Sequence, residues 1–371
     1  DLWFYQHNLM PVNNLFKLIR TDPDGARRVY RRLLVLSEDS RLKAHYRVQA
    51  VTFPHLWYPM IAPEMVKKSF QATGDAVELI RGNIKYSWYE VLNYQQLNVA
   101  AISLANMELA KRYLTRLENV QFDSEALIDQ KAESKQYIFG AQFTTQFCVG
   151  NFVEARAACN RVFNMKVTFP GTTNPYPNPV FSHFTYMVQA AMATMEGDWE
   201  VATSILKPIA QPDYLGFPLI VPGFAQLHMW TYVCATGMIN LFEKELEKEG
   251  EDATLYGNKC KEVRSQIDMF GRMFPGTYKC SGIIYTARIS RLLKDRALAG
   301  ELKKLENALA YAIELDSLPI DVVALKCEVC RWKGDVNGLA EGIKEFDKIG
   351  YKVLSLAYSR ILSKIKNGEE K

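Results

Sequence analysis

Two cysteines stand three residues apart, Cys327 and Cys330, with Glu328 and Val329 between them. Thiols at this spacing bind zinc when a second ligand pair lies nearby, or cycle between dithiol and disulfide in a redox motif. No second pair with suitable spacing follows. On a helix the two sulfurs share one face, so the pair reads as core packing. The histidines His7, His45, His55, His183 and His228 are scattered, and no two are four residues apart. The two-histidine helical zinc motif is therefore missing, and each reads as a partly buried, hydrogen-bonded side chain. Glu243, Glu245, Glu247 and Glu249 share their run with Lys244 and Lys248. That is the pattern of a solvated helix face rather than of a general acid and base.

Other chemistries leave no trace either. A phosphate-binding loop needs Gly-Lys at its end, and no Gly-Lys pair occurs. No G-x-G-x-x-G follows a strand pattern, and there is no G-x-S-x-G nucleophile elbow. We therefore expect no catalytic residue, cofactor or metal ligand. The net charge is +4, and the excess lies within the first 60 residues, mostly in Arg27, Arg28, Arg31 and Arg32. So mild a bias is not the footprint of a nucleic-acid-binding protein. Seven cysteines, an odd number thinly spread, fit buried thiols in a reducing, cytoplasmic compartment.

One block stands apart in composition. From Val167 to Phe242 only Glu196, Asp198, Glu200, Lys207 and Asp213 are charged, and residues 171–195 and 214–242 carry no charge at all. The second window is long enough to span a bilayer, but Pro218, Pro222, Gln226, His228 and Asn240 break it. Helices buried from both sides, or a surface that a partner protein covers, are the readings that fit. Aromatic side chains bury large area at small entropic cost, so Tyr176, Tyr214, Phe217 and Trp230 are the candidate partner-contact residues.

The elements that would carry these residues are set by a recurring turn. Gly150-Asn151-Phe152-Val153-Glu154-Ala155 and Gly197-Asp198-Trp199-Glu200-Val201-Ala202 each separate two helical runs. Glycine ends one helix in a left-handed conformation. Asn or Asp caps the next, Glu lies in its first turn where the dipole favours negative charge, and a small Ala admits a neighbouring helix. Ala105-Asn106 repeats the pattern with Ala in the glycine place, Gly334-Asp335 repeats it near the end, and Gly74-Asp75 echoes it. Turns at 105, 150, 197, 237, 294 and 334 recur every 40 to 57 residues. No period-2 run is long enough to seed a sheet. Pro54, Pro59 and Pro63 are expected to interrupt the segment after residue 53. Proline-rich stretches at 169–179 and 208–222 are expected as long loops.

The pattern predicts an all-α fold, an α-solenoid of irregular antiparallel helix pairs over residues 1–371, with a softer division near 123–135. The start at Asp1 suggests a piece of a longer polypeptide. The turns Gly150/Asn151/Ala155, Gly197/Asp198/Trp199/Ala202 and Gly334/Asp335/Ala340 resemble the tetratricopeptide-repeat superfamily. The segments 308–314 and 346–350, each ahead of a Leu/Ala helix, are also similar to the C-terminal helical regions of soluble adenylyl cyclases and related signal-transduction ATPases. The first resemblance implies a scaffold that binds other proteins. The second implies a regulatory region whose catalytic domains lie upstream.

Overall fold

Among the described residues the same backbone turn is built five times. At the first, the Ala105 N–H donates to the Ile102 carbonyl and the Asn106 N–H to the Ala101 carbonyl, both at 2.9 Å. This pair of bonds is the Schellman closure of a helix C-terminus, and it requires the intervening residue to be left-handed. Ala105 is so, with φ +59°. The bonds recur at Gly150 and Asn151, Gly197 and Asp198, Gly334 and Asp335, and Gly350 and Tyr351, and all four glycines have φ between +68° and +81°. The second residue of each turn also opens the next helix. Its carbonyl accepts from Ala110, Ala155, Ala202, Leu339 or Ser355 at 3.0–3.2 Å. In four of the five its side chain caps as well. Asn106 accepts from the Leu109 N–H, Asn151 from Glu154, Asp198 from Val201 and Asp335 from Gly338, at 2.9–3.4 Å. Closing one helix and opening the next takes two residues.

The computed structural model describes residues 21–61, 66–122, 128–164, 179–210, 239–246, 251–273, 280–293, 298–315 and 318–368. All the regular structure among them is helical, with no strand. In order come α1 (Pro23–Glu38), α2 (Ala44–Ile61), α3 (Val66–Glu78), a 3-10 turn (Ile84–Tyr86), α4 (Ser87–Ser103), α5 (Met107–Glu118), α6 (Ile128–Cys148), α7 (Phe152–Phe163), α8 (Pro179–Glu196) and α9 (Trp199–Ala210). Then follow α10 (Glu251–Met273), α11 (Ser281–Leu292), α12 (Leu298–Glu314), α13 (Pro319–Lys333), α14 (Val336–Lys348) and α15 (Lys352–Lys366). Residues 239–246 are also helical. No described helix is long and apolar enough to cross a membrane. The turn expected at 237 and the one at 294 lie outside the described residues, as do most of the two proline-rich stretches.

Each helix packs chiefly on elements one or two places away in the chain, and α15 against α6 is the exception. Hydrogen bonds give the register. Gln49 of α2 donates to the Tyr89 hydroxyl of α4 at 2.7 Å, and Asn93, one turn on, donates to Thr52 at 2.8 Å. Both helices advance together, so α2 and α4 run side by side in one direction. Asn98 of α4 bonds Thr145 of α6 at 2.9 Å, and Arg288 of α11 bonds Glu328 of α13 at 2.6 Å. These partners are 40 to 47 residues apart, close to the 45 and 47 residues that separate the turns at Ala105, Gly150 and Gly197.

Two expectations fail locally. Gly74-Asp75 is no turn: α3 runs straight through it, and a Cβ at Gly74 would lie 3.4 Å from the Tyr113 hydroxyl. Its small size serves close packing of α3 on α5, and the chain turns later, at Gly82 (φ +73°). Likewise α2 stays helical through Pro54 and Pro59. An interior proline costs about 3 kcal/mol, which packing of α2 against α1, α3 and α4 offsets. Local signals lost to tertiary contacts in both places.

Among the described residues the left-handed Ala105 is the one turn residue that carries a Cβ penalty, about 1–2 kcal/mol. Ala105→Gly should raise the urea midpoint, with a net gain of up to about 1 kcal/mol after glycine's extra chain entropy. Gly150→Ala should lose about 1–2 kcal/mol, and more than Gly197→Ala. A Cβ at 150 would meet Lys352 Cβ at 3.2 Å, whereas one at 197 meets nothing within 4 Å.

Candidate functional site

Polar side chains buried among helices are the places where this chain could do chemistry. The first group lies on α4, which is buried on nearly every side. Asn93 and Asn98 are fully inaccessible, and both use their amides. Asn93 donates to Thr52 and to the Tyr89 carbonyl, and Asn98 to Thr145 and to the Ala110 carbonyl at 2.8 Å. Glu90 accepts from the Gly82 N–H at 3.2 Å. Burial raises its carboxyl above the ordinary range, and the Gly82 bond opposes this. Apart from the Asn93 bond to the Tyr89 carbonyl, which lies within α4, each contact ties α4 to a neighbouring helix or turn. An amide with its bonds already made to protein is a register pin, not a free group for catalysis.

The second group joins α11, α13 and α15. Arg288 and Glu328 are 4% and 0% exposed as side chains and form an ion pair, with the Arg331 guanidinium 3.8 Å from the other carboxylate oxygen. Tyr358 of α15 donates to the Ala324 carbonyl at 3.3 Å, and its ring lies 5.2 Å from the Arg288 guanidinium carbon. Burial pushes Glu328 up, but the two arginines outweigh it and hold the carboxyl below its ordinary 4.5. The folded value lies below the unfolded one, so the pair's contribution is complete above pH 4.5 and is lost on acidification beneath it.

The Cys327/Cys330 pair belongs to the same helix. A Cβ on Gly342 of α14 would come within 2.3 Å of the Cys327 sulfur, and one on Gly338 within 2.6 Å of the Cys330 sulfur. The two thiols thus seat on two glycines with matching helical spacing. That glycine pair, three turns of chain later, was the available signal that the cysteines pack. Burial raises both thiols above the ordinary range, and pushes Cys148, Cys159 and Cys260 up to about 12. Thiols held in the neutral form are poor nucleophiles and poor metal ligands. Among the described residues no three His, Cys, Asp or Glu side chains converge as a metal group. His45 stacks on Tyr86 with ring centroids 5.1 Å apart, and burial lowers its pKa.

The turns themselves present the outer features. Val153 is 75% and Val201 44% exposed, at the start of α7 and α9. Arg156 of α7 pairs with Glu196 at the end of α8. Trp199 holds the Lys244 ammonium 4.2 Å from its ring centroid, which links α9 to the helical residues 239–246. The sequence-derived contact residues Tyr176, Tyr214, Phe217 and Trp230 all lie outside the described residues. Sequence reasoning singled out none of Arg288, Glu328, Asn93 or Asn98, because their partners stand about one repeat away and no local pattern marks them. Searches against protein-family models, curated proteins and solved structures find no match for this chain.

Removing one member of the buried ion pair leaves a bare buried charge. Arg288→Met should cost about 3–5 kcal/mol, read as lost amide-exchange protection across α11 and α13, and adding Glu328→Leu should restore most of it. Alkylation at pH 8 followed by peptide mapping should modify Cys330 before Cys148, Cys159, Cys260 and Cys327. It is the one of the five that is not fully covered.

Proposed function

We propose that the chain is an α-solenoid of antiparallel helix pairs, similar to tetratricopeptide-type arrays, that serves as a non-catalytic scaffold holding other proteins in a larger assembly. The observation that carries this reading is the conjunction of two regularities. One two-residue turn recurs at Ala105, Gly150, Gly197, Gly334 and Gly350 with the same closing bonds. Between turns, side chains 40 to 47 residues apart join α2 to α4, α4 to α6 and α11 to α13. From Ala105 to Gly197 the turn repeats at 45 and 47 residues, on the scale of the lateral bonds, and pairs joined in this way stack into an extended body with a long surface. Such bodies act by binding.

The buried groups support the same reading. The Asn93 and Asn98 amides of α4 and the ion pair of α13 are spent on joining helices, and Cys148, Cys159, Cys260, Cys280 and Cys327 are buried. Covered, neutral thiols also suit a reducing cytoplasm. The charge-poor block from residue 167 to 242, with its uncharged windows 171–195 and 214–242, then supplies the contact chemistry. Charged residues are depleted at the centres of protein interfaces and aromatics enriched, and Tyr176, Tyr214, Phe217 and Trp230 are of that type.

The test is a paired capture. The intact protein, crosslinked and recovered, should bring down one protein in near-stoichiometric amount. Tyr214→Ala with Phe217→Ala should lower that recovery at least tenfold, about 1.4 kcal/mol or more, with the helical circular dichroism unchanged. Loss of helicity in the double variant would make these residues part of the core. Equal recovery would remove them from the interface.

A further inference from the structure

The last helix crosses the stack instead of joining only its neighbours, and its contacts advance about one repeat at a time. A Cβ at Gly350, in the turn before α15, would meet Met107 Cγ at 2.9 Å, and one at Gly150 would meet Lys352 Cβ at 3.2 Å. Arg360 donates to the Thr194 carbonyl at 2.6 Å, which also accepts from the Gly197 N–H at 3.3 Å. Lys364 pairs with Glu243 at 3.3 Å. From residue 350 to 364 the chain thus touches the start of α5, the turn between α6 and α7, the end of α8 and the helical residues 239–246. That span of helix reaches about 21 Å, against roughly 8–10 Å between packed neighbours. α15 therefore runs along the stack from one turn to the next.

Two tyrosines, two helical turns apart, anchor its first half. Tyr351 is fully inaccessible, with its hydroxyl beside the Cys148 thiol of α6. Tyr358 is 1% exposed. Its hydroxyl donates to the Ala324 carbonyl of α13 at 3.3 Å, and its ring stacks on Phe346 of α14 with centroids 5.6 Å apart. Val353, Leu354 and Ala357 are buried between the two. Lys352 stays within the C-terminal pair, held by Asp347 at 2.9 Å. The second half is held outward, by Arg360 at the end of α8 and Lys364 at Glu243. One helix is thereby fixed both to the C-terminal helices and to the middle of the chain.

A stack held only by adjacent pairs opens in parts, from its ends inward. A rod fixed to successive turns removes that freedom. α15 cannot leave without uncovering the Cys148 end of α6. The pairs it crosses cannot turn past one another without breaking the Arg360 or the Lys364 contact. We propose that α15 is a strap that locks the successive pairs from α5 to residues 239–246 onto the C-terminal helices, so that the two regions open as one cooperative unit. This inference stands on the contacts of α15 and not on what the array binds, so it and the scaffold reading can fail separately.

The experiment is native-state amide exchange of the full chain in rising urea. The slow amides of α5, α6 and α15 should follow one opening with one urea dependence. Arg360 is exposed and Lys364 is 40% exposed, so Arg360→Gln with Lys364→Glu weakens the strap and leaves the core intact. In that variant α15 should exchange about tenfold or more faster than α5 and α6. Cys148, beside Tyr351, should react with iodoacetamide about fivefold or more faster than in the unaltered chain, while Cys159 of α7 does not change. Adding Glu243→Lys, which restores an opposite charge to position 364, should reverse at least half of each change. Three results would overturn the proposal: α15 of the unaltered chain opening alone at lower urea than α6, equal acceleration of Cys148 and Cys159, or no recovery with Glu243→Lys.

Discussion

One left-handed residue per turn governs this structure. A helix C-terminus leaves four carbonyls unpaired and the next N-terminus leaves four N–H groups. A connection of two residues has almost no chain with which to satisfy them. The Schellman bonds at Ala105, Gly150, Gly197, Gly334 and Gly350 satisfy the carbonyl side, and Asn106, Asn151, Asp198 and Asp335 answer on the other. Because both tasks fall on adjacent residues, the exit direction of one helix sets the entry direction of the next. The fully buried alanines Ala110, Ala155 and Ala202 complete the geometry. Their N–H groups donate the first backbone bond of the new helix, to the Asn106, Asn151 and Asp198 carbonyls, while their small side chains leave room for a neighbour.

Such turns are legible in sequence because their physics is local. Gly-Asn and Gly-Asp followed by Glu and Ala carry the conformation, the cap, the dipole match and the close approach within six residues. Even the substitution of Ala105 for glycine could be read, since Asn106 and the following helix kept the rest of the pattern. The misreadings have the opposite character. Gly74-Asp75 has the right letters but lies inside a helix, where Tyr113 of another helix crosses it. Pro54 and Pro59 carry a breaking signal that the neighbours of α2 override. A local rule predicts correctly only where no distant contact outweighs it.

The buried polar residues show the limit from the other side. Asn98 and Thr145, or Arg288 and Glu328, have no signature until the turns bring residues one repeat apart into contact. An unpaired buried amide or charge is costly, so each such pair fits well in one register and poorly in others. Apolar residues such as Leu97 or Val91 tolerate sliding, whereas Asn93 between Thr52 and the Tyr89 carbonyl does not. Polar groups inside this body therefore specify alignment between pairs, while apolar area supplies the cohesion. The aromatic residues chosen as partner contacts rested on composition alone, with no spacing rule behind them.

A stack held only by neighbours gains stability pair by pair and frays from its ends. The contact of α15 with α6 and the end of α8 changes that arithmetic. It joins residues 166 positions apart through Arg360 and Thr194, so the last pair cannot open without disturbing the turns of the middle pairs. Loop closure over such a separation is entropically costly, but the cost grows only with the logarithm of length. Inaccessible Tyr351, the Arg360 bond to the Thr194 carbonyl and the Lys364–Glu243 pair stand against that cost. The position of the C-terminal helices is thereby coupled to the turns at Gly150 and Gly197 by direct contacts between distant stretches of chain.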